Sequence, residues 1–127
     1  MIKFRAWNGY RKIMADYVSA IQNGDTQGTP SSVNVIVNRK NETWDIKNDN
    51  VELLQFTGLK DVNGKNIYVG DIVRCKNEYQ GTDYTGKVMF FNGGFCVWTG
   101  GFRNYVWEDM IPEIIGNVHE NPKLLED

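Results

Sequence analysis

One histidine, two cysteines and three prolines are all that 127 residues supply of those types, and each scarcity removes a class of function. With His119 alone, a histidine-assisted nucleophile has a single candidate base, and a zinc site built on several histidines is out of reach. Cys75 and Cys96 stand far apart with no CxxC spacing. Small core or half-buried residues are therefore a plainer reading than a metal knuckle or a redox pair. Apolar runs are short, so no segment has the length of a membrane-spanning helix. The opening MIKFRAW is charged at Lys3 and has no apolar stretch, which does not fit a secretory signal. We therefore expect a cytoplasmic protein with no membrane partner. A net charge of −2 does not suit a bulk polyanion binder, whose phosphate contacts need clustered Lys and Arg.

Motifs for cofactors are missing too. Asp61-Val62-Asn63-Gly64-Lys65-Asn66 resembles the start of a calcium loop, but such a loop needs Gly at its sixth position and Glu at its twelfth. Here Gly64 comes fourth and Ile72 twelfth. Gly86-Lys87-Val88 is not a phosphate loop, since it opens a strand pattern. We expect no cofactor, no metal and no enzymatic activity. A Cys75–His119 or Cys96–His119 dyad is weaker than the reading of packed cysteines and a surface histidine in a strand. Asp71 more plausibly accepts backbone amides at a turn than acts as a general acid or base.

What the chain does have is β pattern. Ile2, Phe4 and Ala6 alternate with Lys3, Arg5 and Trp7, which predicts a half-buried strand. Asn8-Gly9 predicts a tight hairpin turn. Residues 11–22 fit a returning strand, with helical spacing of Ile13, Tyr17 and Ile21 as the alternative. Residues 22–32 are polar and read as a loop. Val33–Val37, Thr43–Ile46, Val51–Phe56, Ile72–Lys76 and Glu113–Val118 read as strands. Asp61–Gly64 and Gly70-Asp71 read as turns. In GKVMFFNGGFCVW, a two-residue Asn92-Gly93 turn pairs Phe90 with Phe95, Met89 with Cys96 and Val88 with Val97. Val88, Phe90, Phe95 and Val97 then share one apolar face, expected in the core. The fold class is mostly β: a small, strongly bent antiparallel barrel with an N-terminal hairpin extension. We expect a single domain, with residues 1–50 forming the hairpin and loop region and residues 51–127 the barrel core.

Three blocks then carry a family likeness. They are Ile2-Lys3-Phe4-Arg5-Ala6-Trp7; Leu54-Gln55-Phe56-Thr57-Gly58-Leu59-Lys60-Asp61, continuing through Asn63-Gly64-Lys65 to Ile67-Tyr68-Val69-Gly70-Asp71-Ile72-Val73; and Ile114-Ile115-Gly116-Asn117-Val118-His119-Glu120-Asn121-Pro122-Lys123-Leu124-Leu125. The chain resembles the YopX-like family of bacterial phage and prophage proteins. Two positions depart from the family pattern: Asn8, where Asp is usual, and His119, where an aromatic is usual. The resemblance implies a phage or prophage gene and a mostly-β domain. It implies no activity, so no catalytic residue is carried over.

One cluster remains as a candidate binding site. Trp98, Phe102, Arg103, Tyr105 and Trp107 gather four aromatic rings and a guanidinium around a glycine-containing loop. Such rings stack bases or grip a peptide; the competing reading is that they cover the open end of a small barrel. The favoured function is a non-enzymatic accessory module that binds a host or phage protein, or itself. The alternative is a small barrel that binds single-stranded nucleic acid, less favoured because of the acidic balance. Charge also splits by end. Lys3, Arg5, Arg11 and Lys12 give the first 14 residues +4, whereas six acids and Lys123 give residues 108–127 −5. A homo-oligomer with residues 1–7 or 108–127 in the subunit contact is expected.

Overall fold

The computed structural model describes residues 3–23, 30–77, 82–91, 93–99, 103–104 and 112–125. The protein is mostly β, built from antiparallel, strongly bent sheets. Its described strands are β1 (Phe4–Asn8), β2 (Ile13–Ala15), β3 (Tyr17–Asn23), β4 (Pro30–Val37), β5 (Lys40–Asp45), β6 (Val51–Lys60), β7 (Asn66–Tyr68), β8 (Asp71–Asn77), β9 (Thr82–Phe91), β10 (Gly94–Trp98), β11 (Arg103–Asn104) and β12 (Glu113–Asn117), followed by a 3₁₀ turn at Pro122–Leu125. The chain divides into two compact units, Met1–Gln55 and Phe56–Asp127.

In the N-terminal unit, β1 lies between β2 and the first half of β6, with Ala6 opposite both Ala15 and Leu53. That placement overturns the half-buried reading of this strand. Arg5, Ala6, Trp7 and Asn8 are all buried, and since successive residues point to opposite faces, both faces of β1 are covered. Neither does Asn8-Gly9 make a two-residue turn. Asn8 is the last strand residue, opposite Ile13, and the loop runs from Gly9 to Lys12. The Asn8 side-chain oxygen accepts from the backbone N–H groups of Tyr10 (3.1 Å) and Arg11 (2.8 Å), and the left-handed residue is Lys12, at φ 59°. A local side-chain acceptor has thus outcompeted the short turn. Residues 11–22 resolve as strand, β2 and β3 joined at Asp16.

The second N-terminal sheet is β3-β4-β5. Its β4–β5 turn is the two-residue pair Asn38-Arg39, both left-handed at φ 50° and 67°, with Val37 opposite Lys40. Alternate residues of β4 face inward, so Val33 and Val35 join Ala6, Ala15 and Trp44 in a buried cluster.

In the C-terminal unit, the second half of β6 pairs with β7, and Gly58 (φ 87°) marks the break in their register. The five-stranded sheet runs β11-β10-β9-β8-β12. Its core is Ile67, Val73, Cys75, Val88 and Val97, with Tyr84 and Ile114 packed against it. The sheet is closely stacked at Gly86, where a Cβ would meet Val97 Cγ1 at 2.6 Å and the Trp98 carbonyl oxygen at 2.7 Å. Only glycine leaves room there.

The β9–β10 register is the expected one, Phe95 opposite Phe90 and Val97 opposite Val88. The expected burial holds for half of that face. Val88 and Val97 are buried, but Phe90 is 53% exposed and Phe95 only half-buried. Burial falls off towards the turn at Gly93 because the pairs nearest the tip lie beyond the core cluster that covers Val88 and Val97.

Candidate interaction surface

Of the aromatic loop singled out from sequence, only Trp98 has a described side chain. It is half-buried on β10, with Lys87 opposite it on β9 and Arg103 on β11. Arg103 is placed by its backbone alone; Phe102, Tyr105 and Trp107 lie outside the described residues.

Among the described residues Tyr10 and Tyr17 are exposed singly, while exposed rings gather at the β9–β10 tip. Phe90 and Phe95 meet edge-on, ring centroids 5.2 Å apart, a favoured geometry for an aromatic pair. Phe91, the next residue towards the turn, is 39% exposed. Successive strand residues point to opposite faces, so Phe90 and Phe91 present rings on both sides of the ribbon. Sequence reasoning missed this surface by assigning the apolar face wholly to the core. The signal was present: two adjacent Phe residues immediately before an Asn-Gly turn sit at a hairpin's end, where cover is thinnest.

Asp61 and Asp71 bind backbone amides, and both cysteines are buried. Asp61 is buried. Its Oδ1 accepts the amides of Asn63 and Lys65, both at 2.9 Å, and its Oδ2 accepts that of Ile114 at 3.0 Å. Burial alone would raise its carboxyl, but the amides of Ile114, Lys65 and Asn63, helped by the Lys65 charge, hold it below the usual carboxylate value. Asp71 Oδ2 likewise accepts from the Tyr68 amide at 2.8 Å. Burial pushes the Cys75 thiol up to about 11, against a weaker opposing hydrogen bond with Tyr84. A nucleophilic cysteine needs the reverse shift. Cys96 is buried as well. His119 is not in a strand; it falls in the turn after β12, where its amide donates to Asn117 Oδ1 at 3.0 Å.

Depressions indent the described surface of this unit. One, of about 330 Å³, is lined by Val62, Arg74, Lys76, Asp83 and Glu113. The register sets Arg74 opposite Glu113 and Lys76 opposite Asp83, so among the described lining residues opposite charges pair across strands. Another, of about 530 Å³, is lined by the single segment His119 to Leu124. Among the described residues, no group of three or more His, Cys, Asp or Glu could hold a metal ion, and no helix is long and apolar enough to cross a membrane.

Bent antiparallel sheets whose buried aspartates bind turn amides, with exposed rings at one hairpin tip, define a small mostly-β protein. The YopX protein family matches residues 3–126, and the chain belongs to that family. It is similar to protein EF1440 from Enterococcus faecalis, at 26% identity and a TM-score of 0.66 over 99% of each chain. It is similar also to protein yopX from Bacillus subtilis, at 23% identity and a TM-score of 0.67 over 98% of each chain. No curated protein matches. The residues that carry the family likeness do structural work here: Gly58, Gly64 and Gly70 adopt φ 87°, 79° and 95°, and Asp61 and Asp71 bind amides.

Proposed function

We propose that the protein is a phage or prophage accessory factor that acts without catalysis, by binding protein, a second copy of itself included, in the cytoplasm of a bacterial host. The observation that carries this reading is the aromatic tip. Phe90, 53% exposed, and Phe91, 39% exposed, sit on a two-stranded ribbon, and exposed aromatics on a rigid element are favoured anchors for a protein partner. The enclosed Cys75 thiol and the amide-bound Asp61 support a non-catalytic role.

Two measurements test it. Light scattering of the purified protein at low and high salt reports self-association. Pull-down from an infected host lysate, with and without nuclease, reports other partners. We expect a homo-oligomer, or a nuclease-resistant protein partner that is lost when Phe90→Ser and Phe91→Ser are combined with the fold intact. A strictly monomeric protein that captures nothing, or captures only nuclease-sensitive material, would sink the reading.

β1 has neighbours on both sides and is buried from Arg5 to Asn8, which favours a self-contact elsewhere than at those residues.

A further inference from the structure

Sheet edges among the described strands fall at β2, β3, β5, β7, β11 and β12. An edge strand shows a row of backbone donors and acceptors without a ladder partner, and proteins usually guard it by shortness, charge, proline or a β-bulge. Most of these edges are guarded in that way. β2 and β7 have 3 residues each and β11 has 2. β5 carries Lys40, Glu42 and Asp45, and β12 carries Glu113. β3 lacks the first three of these guards and carries only a bulge, at Ser19. At 7 residues it is the longest of the edges, and its sequence, YVSAIQN, holds no charge and no proline.

The side chains of β3 add a second observation. Its register with β4 shifts between Gln22 and Asn23 and also between Val18 and Ala20, where Ser19 is the extra, bulged residue. That bulge returns the strand to phase. Val18 stands opposite Val35, and Ile21 opposite Val33. Val33 and Val35 are fully buried, Val18 packs against them, yet Ile21 is 40% exposed. The apolar face of the sheet thus continues onto its open edge and ends there uncovered.

We propose that Ser19–Asn23 pairs antiparallel with the same stretch of a second copy, about a two-fold axis at Ile21, joining two β3-β4-β5 sheets edge to edge. This rests on the self-association reading above and names its surface. The register follows from burial. Among the described residues of this stretch, Ile21 is the large apolar side chain, and the two-fold sets it against its own copy, where it removes the most apolar area from water. Ser19 then faces Asn23 and Ala20 faces Gln22. An identical strand is acceptable as partner because no like charges meet, which antiparallel self-pairing of a charged strand could not avoid. The contact closes on itself, so it gives a dimer and not a fibre.

The test uses the full chain at roughly 10–500 μM, the range suited to a contact well below about 1,200 Å². Sedimentation should show a reversible dimer. Ile21→Lys, which sets two ammonium groups face to face, should raise its dissociation constant about tenfold or more. Ile21 lies outside the buried cluster, so circular dichroism and the melting temperature should hold. Under oxidised glutathione, Ile21→Cys should cross-link to a dimer, because the two Cβ atoms would lie within disulfide reach. Ser19→Cys, far from its copy in this register, should not. The unmodified chain, with both native cysteines buried, serves as the blank. A dimer that is indifferent to Ile21→Lys and that Ile21→Cys fails to cross-link overturns the edge proposal and leaves the self-association reading standing. A monomer throughout the range overturns both. Should Ile21→Lys fail to fold, amide exchange of the unmodified chain decides. Protection of residues 19–23 that rises with concentration supports the contact, and its absence overturns it.

Discussion

At Asp61 a single carboxylate accepts three backbone amides, two within its own turn and one from Ile114 on β12. The turn residue therefore also ties two distant segments together. The role as an amide acceptor was legible, because Asp followed by Asn-Gly is a turn signal with a mechanism. The bond to Ile114 was not, since it spans 53 residues and nothing local announces it. Asp61→Asn replaces one acceptor oxygen with an NH₂ that can face the Ile114 amide donor to donor, and should cost about 1–3 kcal/mol. The pH dependence has a definite sign. The folded carboxyl sits below its ordinary value, so its contribution is full above the unfolded value near 4 and is lost as pH falls through the folded one. Thermal melts from neutral to acid pH should show that loss in the parent chain and a flatter profile in Asp61→Asn. Equal acid limbs would show that the amides do not hold the charge. Packing gives a second contrast at this scale. Ile67 is fully buried and Phe90 is 53% exposed. Ile67→Ala should cost about 2–5 kcal/mol, whereas Phe90→Ala should cost only about 1 kcal/mol despite losing more atoms. Denaturant titration ranks them; a larger loss at Phe90 would mean that the tip is covered in solution.

Among the elements, the β9–β10 hairpin shows how far sequence carries. Its register was readable from an Asn-Gly turn and period-two alternation, and each pair from Phe90–Phe95 to Val88–Val97 stands where expected. Its exposure was not readable, because alternation says which residues share a face and not how far along the strand that face is covered. The same limit applies to β1, whose alternation looked half-buried although β2 and β6 flank it on either side. The β4–β5 turn shows a different loss. In NRKNE no glycine marks the turn, and Arg39 takes a left-handed φ of 67° that a long side chain rarely adopts. Arg39→Gly should relieve that strain and supply the Asn-Gly pair such turns prefer, raising stability by roughly 0.5–1 kcal/mol. A fall in melting temperature would mean that the Arg39 side chain contributes more than its backbone costs.

For the molecule as a whole, family membership and the mostly-β fold were legible because glycines at left-handed positions and amide-binding aspartates must be spelled out in sequence. The exposure of the β9–β10 rings was not, since how far a ring is covered depends on every other contact. The nucleic-acid alternative is decided at this scale, because it depends on net charge as much as on rings. Stacking contributes about 1–3 kcal/mol per base, so a few engaged rings with phosphate contacts would reach micromolar affinity or better at modest salt. Such binding weakens steeply as salt rises, since counterion release scales with the phosphates neutralised. The chain's net charge is −2, and Glu108 and Asp109 closely follow Arg103 in sequence, so the backbone the rings would have to approach is repelled. A labelled oligonucleotide should therefore bind more weakly than about 1 μM at near-physiological salt, with no change in Trp98→Ala. Trp98 is half-buried, so a melt of that variant must accompany the titration to separate lost stacking from lost fold. Sub-micromolar binding that falls with salt and disappears when Trp98→Ala and Phe102→Ala are combined in a folded protein would replace the protein-binding reading with the nucleic-acid one.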